Sequence, residues 1–201
     1  SGTLASAAQR DGYAFTLGAA TRVAFDALTN NGSLRWTLTG PRGTEVSSRT
    51  FTTSDSYDGY GVLELPAGDY VLTVHGAASA YSFRLSDLAT ATAFTPGTPV
   101  SGTLDPANGS AYYRFDATAG DRFYFQINER TGGDPFWRLL DPDGRVVFPA
   151  SHMAAGGGYD IDVRTLAQTG TYTLLVEGRD YVGGTSSHTF NVQPVSDDTT
   201  A

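Results

Sequence analysis

Short runs of alternating apolar and polar residues, each closed by Gly, Pro or Asp, recur along the chain. In "DRFYFQIN", Phe123, Phe125 and Ile127 fall on one side and Arg122, Tyr124 and Gln126 on the other, the period of two that a half-buried strand requires. Tyr70, Leu72 and Val74 share a face in "DYVLTVHG", as Tyr172, Leu174 and Val176 do in "TYTLLVEG". No segment holds a capped helical period over about ten residues. One apolar and one mixed face per strand is the pattern of a sheet packed on a second sheet with its back in water.

The pattern also repeats. "SGTL" at Ser1 to Leu4 returns at Ser101 to Leu104, and at the same offset Tyr13, Phe15, Arg22 and Phe25 fall on Tyr113, Phe115, Arg122 and Phe125. After single-residue slips, Trp36, Leu38, Pro41, Gly43 and Val46 meet Trp137, Leu139, Pro142, Gly144 and Val147. Gly68, Tyr70, Leu72, Val74 and Gly76 then meet Gly170, Tyr172, Leu174, Val176 and Gly178. Landmarks kept in order with such small slips predict two copies of one module. Twelve positions separate Gly178 from Phe190 where seven separate Gly76 from Phe83, so the second copy has the longer last hairpin. Extra length at a hairpin tip is cheap and often adapts a loop for binding.

The fold expected is all-β: two tandem antiparallel β-sandwich, jelly-roll-like domains of about seven or eight strands each. The first spans residues 1–88 and the second 89–195, with 196–201 a tail or linker to a further module. "LATATAF" between the copies alternates well enough to open the second module, and the first would have such a strand before Ser1. A fragment of a longer array is therefore expected.

Composition narrows the function classes. The chain of 201 residues carries a net charge of -8, and all 13 basic residues are Arg. That charge disfavours phosphate backbones and anionic lipid, so neither nucleic acid nor membrane is an expected partner. Cysteine is absent, which removes disulfides, thiolate chemistry and Cys-ligated zinc. No stretch approaches the roughly 18 consecutive apolar residues of a membrane span, and "SGTLASAAQR" lacks the charged start and apolar core of a signal peptide.

The succession "SGTLDPANGSAYYRFDATAGDRFYFQI", "GGDPFWRLLDPDGRVV", "TGTYTLLVEG" and "HTFNV" resembles the bacterial pre-peptidase C-terminal domain over most of both copies. The resemblance implies a jelly-roll-like sandwich appended to secreted proteases or repeated in surface proteins. It also implies matrix-polymer binding in some relatives, including collagen-binding modules, and calcium in some. The chain departs from that family's Asp-x-Asp-Leu stretch, having Asp134, Pro135, Phe136 and Trp137 in one copy and Ser33, Leu34, Arg35 and Trp36 in the other.

Candidate chemistry is sparse. "DPDG" at Asp141 to Gly144 corresponds to "GPRG" at Gly40 to Gly43; both suit a type I turn, and the carboxylates do not recur. Asp134, Asp141, Asp143, Asp160 and Asp162 form the dense acid set that a calcium site would draw on, but no metal site is expected. His75, His152 and His188 do not recur, and no nucleophile elbow, zinc-helix or phosphate-loop motif occurs. Tyr112, Tyr124 and Tyr181 are the candidate ligand-binding residues, since exposed tyrosines can stack on sugars or lie along a peptide. Tyr57 and Tyr60 form a comparable loop in the first copy.

The expectation is a non-catalytic tandem segment of a larger bacterial protein, secreted or at the cell surface, without cofactor and monomeric within the longer chain. It would serve as spacer and adhesion module. The alternatives are a carbohydrate- or matrix-protein-binding module, whose partner would be an extracellular glycan or protein, and an accessory domain of a secreted protease.

Overall fold

The computed structural model describes residues 1–54, 62–154 and 158–196; Tyr57 and Tyr60 lie outside them. The chain is all-β, and its sheets are antiparallel apart from one short parallel pairing. It divides into two compact units, one from Ser1 to Thr90 and one from Ala91 onward.

The first unit holds β1 (Gly2–Leu4), β2 (Arg10–Leu17), β3 (Thr21–Ala27), β4 (Leu34–Gly40), β5 (Gly43–Thr50), β6 (Val62–Leu65), β7 (Gly68–Gly76), β8 (Ser79–Tyr81) and β9 (Phe83–Asp87). One sheet runs β2-β7-β4-β5 and another β6-β3-β9, with β1 paired to β8. Trp36 is fully buried between them, its indole stacked on Phe25 at 4.0 Å and nearly parallel. Phe51, Tyr70, Leu72, Val74 and Tyr81 complete the core.

The second unit holds β10 (Thr92–Ala93), β11 (Val100–Leu104), β12 (Ser110–Ala117), β13 (Arg122–Thr131), β14 (Phe136–Leu140), β15 (Val146–His152), β16 (Ile161–Thr165), β17 (Gly170–Glu177) and β18 (Ser186–Pro194). Its sheets run β10-β12-β17-β14-β15 and β11-β18-β13-β16. The order β12-β17-β14-β15 matches β2-β7-β4-β5 strand for strand. Even the irregularities match: the hairpins slip register between Trp36 and Leu38 and between Trp137 and Leu139. Trp137 is fully buried among Phe125, Phe148 and Phe190.

Tight contacts explain several repeated landmarks. The Tyr70 hydroxyl donates to the Pro66 carbonyl at 2.7 Å, as Tyr172 does to Gln168 at 2.9 Å. Gly68 and Gly170, both at positive φ, face Pro41 and Pro142, where a β-carbon would collide with the proline ring. The proline of each turn is thus seated on the glycine that opens the next sheet strand.

Two sequence expectations differ from the structure. "LATATAF" is a strand only at Thr92–Ala93, because Leu88–Thr90 forms a 3-10 turn that buries Leu88 and is capped by Asp87, which accepts from the Ala89 N–H at 2.8 Å. The outer face of β17 is also buried, with Thr173 at 9%, Leu175 at 0% and Glu177 at 4% exposure. β17 is a central strand, and the residues in register with Leu175 on either side are Tyr112 and Arg138, whose long side chains suit them to shield it. Arg138 Nε lies 3.4 Å from Glu177 Oε2, an ion pair taken almost wholly out of water.

Candidate ligand-binding edge of the second unit

The structure places the three candidate tyrosines apart. Tyr112 is on β12 with its neighbours Tyr113 and Phe115 turned into the core, so it lies on the outer face of that sheet. Tyr124, between buried Phe123 and Phe125 on β13, lies on the outer face of the other sheet. Tyr181 is in the connection from β17 to β18 and is 58% exposed. Alternation along each strand assigns a side chain to a face, and only the sheet assignment shows that two of these faces point away from each other.

Tyr124 is engaged within the fold. Its hydroxyl donates to Asp160 Oδ2 at 2.6 Å, while Asp160 Oδ1 accepts from the Ile127 N–H at 2.8 Å. That hydrogen bond to a carboxylate, with burial and the charges of Asp160 and Asp162 adding to it, pushes the phenol above its usual range. Asp160 therefore pins β13 where its ladder with β18 slips.

The other acids are equally occupied. Asp141 Oδ1 accepts from the Asp143 and Arg145 N–H groups at 2.9 and 2.8 Å, and Gly144 N–H closes the turn onto the Asp141 carbonyl at 2.9 Å. Asp143 pairs with Arg145 at 2.5 Å, and Asp162 accepts from the Val163 N–H. Among the described residues no three His, Asp or Glu side chains gather as a metal site.

Tyr181 leads to a different cluster. Its hydroxyl is 3.4 Å from Asp134 Oδ2, and the other Asp134 oxygen is bonded to His152 Nε2. The His152 ring meets Phe136 edge-to-face at 5.1 Å and Tyr159 at 5.0 Å. The Arg179 guanidinium lies 5.1 Å from the Phe136 ring centre and 5.2 Å from that of Tyr181. Asp134, His152, Phe136, Arg179 and Tyr181 thus form a closed circuit, with Tyr159 outside it at 50% exposure.

Strand geometry builds the circuit. Phe136 opens β14 directly opposite His152, which ends β15, and on its other side faces Glu177, the last residue of β17. Arg179 and Tyr181 follow in the longer connection, whose base is held by Ala107 N–H to the Gly184 carbonyl at 2.7 Å and Gly178 N–H to the Gly109 carbonyl at 2.9 Å. The corresponding positions of the first unit carry Ser33, Arg35, Thr50 and Ala77, with Arg35 opposite Thr50 and its guanidinium on the Ser48 carbonyl at 2.9 Å.

Sequence reasoning reached Tyr181 and Asp134 but missed Phe136, His152, Tyr159 and Arg179 as members of a site. A partial signal was available: Phe136, His152 and Arg179 stand where the first unit has Arg35, Thr50 and Ala77, and these three fall at adjoining strand ends, whereas the aromatics at Tyr112 and Tyr124 in place of Gly12 and Ala24 do not.

Chemically, the edge offers aromatic surface at Phe136, Tyr159 and Tyr181, a carboxylate acceptor, a guanidinium donor and two phenol hydroxyls. Aromatic area framed by a few directional polar groups is the composition of a recognition surface for a ligand that is part apolar and part hydroxylated.

These sheets define an all-β protein of the sandwich class. No protein-family model and no curated protein matches the chain. Among solved structures it is similar to PliG of Aeromonas hydrophila, a periplasmic lysozyme inhibitor of g-type lysozyme, at 14% identity over 52% of this chain and 96% of that one, with a TM-score of 0.39. It is also similar to a carbohydrate-binding module of the β-sandwich superfamily, at 13% identity over 92% and 98% of the two chains, with a TM-score of 0.29. The secreted serine protease VesC of Vibrio cholerae is similar at 9% identity over 96% of this chain and 47% of that one, with a TM-score of 0.30. At these values the likeness concerns the fold alone. Among the described residues no helix is long and apolar enough to cross a membrane.

Proposed function

We propose that the chain is a non-catalytic pair of like modules, of the pre-peptidase C-terminal type, from a larger secreted or cell-surface bacterial protein. The first module is a spacer, and the second binds extracellular glycan through Phe136, Tyr159 and Tyr181, with Asp134 and Arg179 as hydrogen-bonding partners for sugar hydroxyls. One observation carries this reading: both units share the strand order seen in β12-β17-β14-β15, yet among the described residues the aromatic and ionic circuit is built only in the second. A shared scaffold with one differentiated edge is what a binding function on a spacer fold requires.

The non-catalytic reading is supported by what the histidines touch: among the described residues none of the three is hydrogen-bonded to a serine hydroxyl, His152 being bonded to Asp134, His188 to Tyr113, and His75 lying 3.4 Å from the Thr37 hydroxyl.

The test is binding to a panel of soluble and insoluble polysaccharides, with collagen as a protein comparator, for the chain and for Phe136→Ala and Tyr181→Ala variants. The expected result is glycan retention that falls at least about tenfold in each variant. Collagen binding lost in the same variants would replace the glycan with a matrix protein. Binding of neither would leave the spacer role alone.

A further inference from the structure

In the second unit one flank of the core is closed by β10 and the ring that follows it. β10 runs parallel to β12, with Thr92 opposite Tyr113 and Ala93 opposite Arg114. The Phe94 N–H then donates to the Arg114 carbonyl at 3.0 Å. Its ring lies 5.2 Å from Phe115 and 5.6 Å from Phe190. Alongside it, Tyr113, Phe115 and Ala117 are buried.

The first unit has the matching acceptor without a matching strand among the described residues. β2 ends its sheet and is paired on one side only, to β7. Tyr13, Phe15 and Leu17, at the positions of Tyr113, Phe115 and Ala117, are only half-buried, and so is Phe83 at the position of Phe190. An edge of open backbone groups with incompletely covered aromatic rings behind it is a template for one more strand.

We infer that the β2 edge is the acceptor for the connecting segment of another module of this type, an extended strand parallel to β2 whose aromatic side chain lodges between Phe15 and Phe83. The inference rests on the proposal that the two units are copies of one module. The occupant is set by this chain's own example, since the segment that leaves the first unit, from Leu88 to Phe94, supplies both the strand and the ring to the second. The Ala14 carbonyl stands where the Arg114 carbonyl accepts, and the small Ala14 side chain leaves the approach open. One contact is not reproduced, because Arg114 Nε also donates to the Ala91 carbonyl at 3.1 Å and Ala14 has no such donor.

The test fuses a second copy of Leu88 to Val100 ahead of Ser1 in the full chain, which sets the added phenylalanine as far before Ser1 as Phe94 is before Ser101. Hydrogen exchange of the β2 amides is read beside a fusion whose added phenylalanine is alanine. The expected result is about tenfold slower exchange at the β2 edge, the order of effect of one net hydrogen bond, lost in the alanine fusion. A Phe94→Ala variant of the unmodified chain checks the premise and should speed exchange in β12. Unchanged β12 exchange in that variant would show that the Phe94 ring does not hold β10 on β12 and would overturn this inference at its premise. A loosened β12 together with an unresponsive β2 would overturn this inference and leave the equivalence standing.

Discussion

The Tyr113 hydroxyl and His188 Nε2 lie 2.8 Å apart in the interior of the second unit, joining β12 of one sheet to β18 of the other. In the first unit the same bridge is made by two hydroxyls, Tyr13 and Tyr81, at 2.7 Å, with Tyr81 donating onward to Asp11 at 2.6 Å. The two units therefore solve one inter-sheet contact with different chemistry, and only the second uses an imidazole, a group whose ordinary titration lies near neutrality.

Burial holds the His188 imidazole down at about 4, well below its ordinary 6.5, because its charged form would lose water without gaining a counter-charge. The unfolded chain therefore binds the proton first. Stability is full above about pH 6.5 and declines as pH falls toward 4. The loss between pH 7.5 and pH 5 is expected to be about 2 kcal/mol in urea titrations of the second unit. In His188→Tyr, which copies the first unit, the decline over that window should flatten.

The glycine of "SGTL" has its reason in the same bridge. A β-carbon at Gly102 would overlap the Tyr113 hydroxyl and come within 2.7 Å of His188 Nε2, and one at Gly2 would overlap the Tyr81 hydroxyl. Gly102→Ala should cost about 1–3 kcal/mol by denaturant unfolding. Gly18→Ala, where nothing lies within 4 Å, should stay within about 0.5 kcal/mol.

Replacing Arg138 takes the guanidinium away from the Glu177 carboxylate on the buried outer face of β17. Arg138→Met is expected to destabilise by about 3–5 kcal/mol. Adding Glu177→Gln should recover most of that loss, and a double-mutant cycle on chemical unfolding reads the coupling.

The acids of the "DPDG" turn should behave as turn formers. Asp141→Ala removes an acceptor for two backbone N–H groups and should lower stability by about 1 kcal/mol, with or without calcium. Thermal melts of the unaltered chain with and without millimolar calcium are expected to superimpose, since an ion bound to the native state would raise the midpoint by mass action.

Strand faces, the buried tryptophans and the turn prolines could be read from residue types, because each depends on a local period or a fixed φ. The partners of those faces could not. Tyr112 and Tyr124 look equivalent along the chain and lie on different sheets, a distinction set by strand order. Asp134 and His152 meet because β14 and β15 pair with a slipped register, and no local pattern marks that slip. Leu175 and Glu177 occupy alternating outward positions that would be wet on an edge strand and are dry at the centre of this sheet.

The longer connection between β17 and β18 closes on backbone hydrogen bonds at its base and spends none of the sandwich interior on its tip. Whatever the tip touches can therefore be exchanged by altering a handful of residues there, while Trp137 and its aromatic surroundings stay as they are. A chain built on this scaffold could change its surface chemistry one hairpin at a time, with the folding problem already solved.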